Sequence, residues 1–291
     1  MKELKVKNRK NRVEEKSLTI TRNVVRIFLI IWSILIVFPI LWAVLSSLKT
    51  NLEFGTNAWK LPEKLQWVNY KEAWEGANFS KYFLNSLILS AGTVALSIIM
   101  TTTSAYVIGK FVHPVVKSIE IFYSIFMMVP QMLLLIPLLQ MCKKMNMTKS
   151  NVVLFTLMIT NALQGVPFYV FLLTPFMRSI NNSILEAASI DGANQFQVMF
   201  KVMMPMCKNI FIALFMLEFI AHWNDYTPNV VFLRSYPMLA YALYHFRLKT
   251  PQPSIPLQLS SSTLVIIPTL AIFIAFKDKI MSNLTIGGLK G

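Results

Sequence analysis

IFLIIWSILIVFPILWAVLSSL, residues Ile27–Leu48, is a run of 22 residues without a charge. As a helix rising 1.5 Å per residue it reaches about 33 Å, enough to cross a hydrocarbon core of about 30 Å. Its one proline, Pro39, marks a kink rather than an end, because spanning helices tolerate proline. The run is too long for the apolar part of a cleaved signal and has no clear small-x-small exit, so it reads as a retained first span. Nine of the chain's 28 Lys and Arg lie in the 26 residues before it. A basic flank of this kind fixes the orientation of a span.

Further apolar runs follow, and together they predict an all-α integral membrane protein with six spans. These fall at about 27–48, 82–109, 121–142, 150–177, 209–233 and 259–276, within a membrane domain over 27–282. A basic tail over 1–26 precedes it and a short tail over 283–291 follows. Helices are expected throughout, since lipid leaves the backbone to satisfy its own hydrogen bonds. Pro130, Pro137, Pro167 and Pro268 are read as kinks like Pro39. Composition agrees: 55% of residues are hydrophobic and 14% charged, against about 25% charged in a soluble domain. The net charge of +15 is therefore read as membrane orientation and not as a nucleic-acid surface.

Six spans place both termini on one side. With the termini in the cytoplasm, the inner segments carry seventeen basic residues and the outer ones eleven. The first flank weighs most, so an N-in, C-in cell-membrane topology is expected. Lys49–Lys81, with Trp59, Trp67 and Trp74, then lies outside. Cys142 and Cys207 fall on opposite sides, and two cysteines at this spacing suit neither a disulfide framework nor a metal motif. No internal repeat or low-complexity segment is evident.

The inner stretch 178–208 carries the most local information. Ser183 and Glu186 form an S-x-x-E pattern, which predicts a helix starting at Ser183. Ala187 and Ala188 favour helix and leave a thin surface, and Gly192 is placed to end the helix in a left-handed conformation. Phe196, Met199, Phe200 and Met203 at i, i+3, i+4, i+7 predict a second, amphipathic helix, which Pro205 closes. A helix pair resting on the bilayer is the plain reading of these features.

The full spacing is more specific. Glu186-Ala187-Ala188, three residues, Gly192, nine residues and then Val202-Met203-Met204-Pro205 resembles the EAA loop of permease subunits in binding-protein-dependent ABC importers. The family pattern ends I-x-L-P, so Val202 and Met204 are mild apolar departures. Asn85-Ser86, Ala105-Tyr106, Trp223-Asn224-Asp225 and the ending Gly287-Gly288-Leu289-Lys290-Gly291 resemble the carbohydrate-importing branch. The chain is similar to the six-span, maltose-permease-like subunit of the pair, over roughly residues 20–291. The resemblance implies a second permease subunit, a cytoplasmic ATPase dimer that docks on Glu186, Ala187, Ala188, Gly192 and Pro205, and a solute-binding protein outside. It also implies that ATP and Mg are bound by the ATPase and that this chain holds no cofactor, metal or catalytic site. The phosphate-cradling G-x-x-x-x-G-K-[ST] pattern is absent from the sequence. A permease for a non-sugar solute is the alternative, as is a binding-protein-free exporter or channel.

Within the fifth span, Glu218, His222 and Asp225 recur at i, i+4, i+7 and so share a helix face. Each costs on the order of 2.5–3.5 kcal/mol at mid-membrane unless partnered or wet. Three readings stay open: a face on the cargo path together with Asn224, a structural pairing of Glu218 with the partner permease, and the metal site of an intramembrane hydrolase. His113 and His245 fall in loops, which weakens the last. Asn161 and Gln164 in the fourth span are further path candidates, although such amides more often bridge helices. Stripes such as Phe126-Met127-Met128 read as packing or lipid-facing residues.

Overall fold

The computed structural model describes residues 2–76, 78–149, 152–232, 236–242 and 254–284, with side chains from Leu18 to Lys277, Pro228 and Asn229 excepted. His245 and the Gly287–Gly291 ending lie outside the described residues. Every regular element among those described is helical: α1 (Lys2–Ser47), α2 (Asn51–Thr56), α3 (Val68–Gly76), α4 (Phe79–Lys110), α5 (Pro114–Met127), α6 (Gln131–Lys144), α7 (Val153–Ser179), α8 (Asn182–Ile190), α9 (Gln195–Gln197), a π-helical segment (Val198–Met203), α10 (Met204–Met206), α11 (Lys208–Asn224), α12 (Thr227–Val231) and α13 (Ile255–Leu284). Among the described residues, four stretches are long and apolar enough to cross a membrane: Leu18–Ser47, Phe79–Lys110, Val153–Ser179 and Ile255–Lys277. Two bent pairs, α5 with α6 at 102° and Gln195–Met206 with α11 at 82°, bring the number to six if each counts as one span.

The bends are sharper than the kinks expected. Residues 121–142 are not one kinked helix, because the chain breaks at Met128–Pro130 and turns through 102°. Pro130 brings no N–H and disfavours helical backbone at Val129, so it starts α6 as its N-cap instead of kinking a continuous helix. Pro39, Pro137, Pro167 and Pro268 do lie inside helices. The fifth apolar stretch also stops early. Asp225 is extended (φ −82°, ψ 116°), and its Oδ1 accepts the Thr227 N–H at 2.8 Å. That bond starts a new short helix and takes Asp225 off the face that Glu218 and His222 share.

The chain divides into two compact units. In the larger (residues 73–252 and 264–291), α4 and α7 form the most extensive helix pair. Lipid supplies no hydrophobic drive between helices, so close packing of small residues does the work. Ser86, Ser90, Thr93, Ser97 and Thr101, spaced by four, three, four and four residues, are all buried on one face of α4. At Gly109 an added Cβ would stand 2.9 Å from the Cβ of Met177, an approach only glycine allows. Tyr106, Val170, Leu173, Met177, Met203 and Phe211 continue this core. Trp223 closes a second cluster, stacked on Phe219, edge-on to Phe83, its Nε1 donating to Val265 O at 3.4 Å.

In the smaller unit (residues 1–72 and 253–263), hydrogen bonds gather at the end of α1. Asn69 Nδ2 donates to Ser47 O and Lys49 O, both at 2.8 Å, and Ser260 Oγ donates to Ser47 O at 3.1 Å. The fully buried Lys49 is satisfied without a carboxylate, its Nζ donating to Asn57 O and Ala58 O. Trp42 meets Phe54 and Trp59 beside it. The apolar body of α1, from Leu18 to Leu41, is exposed along its length.

Candidate functional site

The segment between α7 and α11 is built from caps. Asn181 Oδ1 accepts the Ser183 N–H at 3.0 Å, so Asn181 is the N-cap and Asn182 opens α8. The capping box expected at Ser183 and Glu186 is not formed. Asn is as strong an N-cap as Ser, and with the cap moved upstream Glu186 falls in the second turn with its side chain exposed. A reciprocal box does form one turn further on: Asn194 and Gln197 exchange side-chain and backbone bonds at 2.9 Å each way. Its signal, N-x-x-Q, was present in the sequence. Gly192 sits at φ +85° between the two helices, and the Ala193 N–H bonds back to Ala188 O at 3.0 Å. This is a Schellman-type turn, in which glycine escapes the Cβ penalty.

The second helix does not present the face that a period of 3.6 predicts. Val198–Met203 is π-helical, and i→i+5 bonding brings residues five apart onto one side. Val198 and Met203 therefore point into the core with Met199, whereas Phe196 is 71% exposed and Phe200 partly so. They and Ile190, 86% exposed, are apolar side chains left exposed at the tip of this segment, where Glu186 and Ala187 are exposed too. Ala188 is half-buried, while Gly192 and Pro205 are exposed. The tip is fastened to the bundle by polar links. Tyr106 Oη donates to Gln195 Oε1 at 2.7 Å, and Lys110 Nζ donates to Ile180 O and Asn182 Oδ1.

A groove runs beside α7. At one end a cavity of about 260 Å³ is lined by Gln131, Thr160, Asn161, Gln164, Asp225 and Thr227 among others. It shares Leu138, Thr160 and Gln164 with a cavity of about 720 Å³, walled mainly by apolar residues such as Phe122, Phe126, Leu134 and Leu163. That cavity shares Tyr123 and Pro167 with a third, of about 160 Å³, which holds Glu120 and Arg178. From Leu157 to Arg178 the α7 wall rises about 32 Å, comparable to a bilayer core. The groove is polar at the end with Asp225, apolar in the middle, and charged at the end next to α8.

Three of the five predicted path residues meet here: Asn161, Gln164 and Asp225. Asn161 Nδ2 is buried and has no hydrogen-bond partner among the described residues. Gln131, which the sequence reading missed, joins them, its Nε2 donating to Gln164 O at 3.5 Å. Asn224 is exposed and donates back to Ile220 O at 3.0 Å. Glu218 lines none of these cavities. It is 3% exposed and packed between helices of its own chain, with Ser97 beside its carboxyl and His222 Nε2 at 3.9 Å. Pairing of Glu218 with another subunit, one of the readings above, does not fit this burial. Among the described residues no group of three or more His, Cys, Asp or Glu is gathered for a metal.

A family model described as "Binding-protein-dependent transport system inner membrane component" matches residues 105–278. The diacetylchitobiose uptake system permease protein NgcG of Streptomyces coelicolor is 31% identical over 198 residues, 68% of this chain and 65% of that protein. The arabinooligosaccharides transport system permease protein AraQ of Bacillus subtilis is 27% identical over 278 residues, 94% of this chain and 97% of that protein. A chain in the crystal structure of a bacterial ABC transporter involved in import of the acidic polysaccharide alginate superposes with a TM-score of 0.75. The overlap covers 89% of this chain and 96% of that one at 20% identity, a likeness of fold.

Proposed function

Because the chain belongs to the family of binding-protein-dependent transport system inner membrane components, we propose that it is one of two permease subunits of an ABC importer for a sugar or oligosaccharide. The observation that carries this reading is the groove beside α7, bilayer-long and ending at the α8 loop. Its partner permease supplies the facing wall. The amides and Asp225 at the polar end suit hydroxyl-rich cargo, since amide and carboxylate groups donate to and accept from hydroxyls. The names of the relatives, both for oligosaccharide systems, support the same cargo class.

In this reading the termini are cytoplasmic and the polar end of the groove faces the solute-binding protein outside. A separate ATPase dimer, which binds ATP and Mg, seats the tip formed by Glu186, Ala187, Ala188, Gly192 and Pro205 with the exposed Ile190 and Phe196. Its closure shifts the spans between outward-open and inward-open arrangements, through differential binding to two states. This chain carries the path and the lever, and the hydrolysis belongs to the ATPase. The test is reconstitution of the four-part importer. ATPase activity rises with loaded solute-binding protein, and uptake needs both ATP and that protein. Uptake that needs neither would sink the reading.

A further inference from the structure

We infer that the Arg178–Glu120 ion pair is the strut by which the α8 loop moves the wall of the groove, an inference that rests on the reading of the groove as the transport path. Arg178 Nη2 lies 2.8 Å from Glu120 Oε1, joining the last turn of α7 to α5, and the same nitrogen reaches Ile108 O at 3.5 Å. Arg178 stands four residues before Asn182, the first residue of α8. Both charged side chains line the cavity of about 160 Å³ that closes the groove at this end.

The links at this end are unequal. α4 is fixed to the loop by Lys110 and Tyr106 and is packed along its length on α7. α5 has no buried residue, yet Tyr123, Ser124 and Met127 form the opposite wall of the groove. α5 packs on the core through the partly buried Val116 and Tyr123, and Arg178 grips it beside the loop. The other polar tie seen from α5 to the bundle is Tyr123 Oη to Ser104 Oγ at 3.0 Å, about one turn away.

The pair is about half exposed on both sides, and such a pair adds little to folding stability. A tie whose use is to carry α5 needs direction and charge assistance and not a share in folding. Arg178 and Glu120 are thus positioning residues, acting on cargo only through α5.

The experiment uses the whole importer in nanodiscs, with spin labels on Val115→Cys in α5 and Phe176→Cys in α7, both exposed positions. Probes are ATP with Mg, and vanadate to trap the hydrolysis state. The unmodified pair is expected to hold the label separation constant on trapping, because the strut carries α5 with the end of α7. Glu120→Gln or Arg178→Gln should let the separation change while ATP turnover and ATPase attachment stay within about twofold, a split that simple misfolding does not give. The double reversal Glu120→Arg with Arg178→Glu should hold it constant again. A separation that stays constant in the single variants overturns the strut, as does a double reversal that restores nothing or a loss of ATPase attachment. If the unmodified complex fails to bind the ATPase, the importer reading fails first and takes the strut with it.

Discussion

Gly192 is where a single backbone angle carries the most consequence. Its φ of +85° is a conformation that L side chains avoid, and nothing stands within 4 Å of the place a Cβ would occupy. The cost of substitution is therefore strain, of order 1 kcal/mol or more, and not a clash within this chain. Asn tolerates this region better than Val. Gly192→Asn should retain most ATPase pull-down and Gly192→Val should lose most of it, with both proteins inserted normally. Equal pull-down in the two variants would separate the turn from docking. The positive φ was legible because glycine followed a helix-forming run. The role given to Glu186 was not, since two caps of similar strength, Asn181 and Ser183, compete two residues apart and only packing chooses. Any effect of Glu186→Ala on coupling now points to a contact made by the exposed carboxylate, because it caps nothing here.

At the scale of elements, α4, α7 and α11 enclose Glu218. Its Oε1 has no hydrogen-bond partner among the described residues, and a Cβ on Gly165 would lie 3.4 Å from that oxygen. Glu218→Gln keeps the shape and a polar end for Ser97, whereas Glu218→Leu leaves the Ser97 hydroxyl bare, at about 1–3 kcal/mol. The leucine variant should melt at a lower temperature than the glutamine variant, with the KM for uptake unchanged in both. A changed KM with intact stability would instead put Glu218 on the path. Apolar runs showed how much chain crosses the membrane, because that depends on length and composition alone. They did not show the 102° turn at Pro130, since a proline inside a span can either kink or end a helix, nor the π-helical Val198–Met203. Period counting assumed 3.6 residues per turn and so assigned Phe196 and Phe200 to the wrong face.

For the whole molecule, orientation is the first thing to test. Cys142 and Cys207 are 0% and 6% exposed, so neither reports sidedness and both leave a quiet background. Leu52→Cys and Ile190→Cys, at positions 81% and 86% exposed, are better reporters. An impermeant maleimide should label Leu52→Cys in intact cells and Ile190→Cys only after permeabilisation. Labelling of Ile190→Cys from outside would reverse the topology. The groove itself is tested most directly at Gln164, which lines both its polar cavity and its large apolar one. Cargo is first identified by offering the solute-binding protein a glycan panel, and its uptake is then measured with ATP turnover in proteoliposomes holding Gln164→Trp. An indole there fills the junction of the two cavities without touching the α8 loop. Uptake is predicted to fall about tenfold or more, about 1.4 kcal/mol for each factor of ten, while stimulated ATP turnover continues. Uptake at the unmodified rate would show that cargo passes elsewhere.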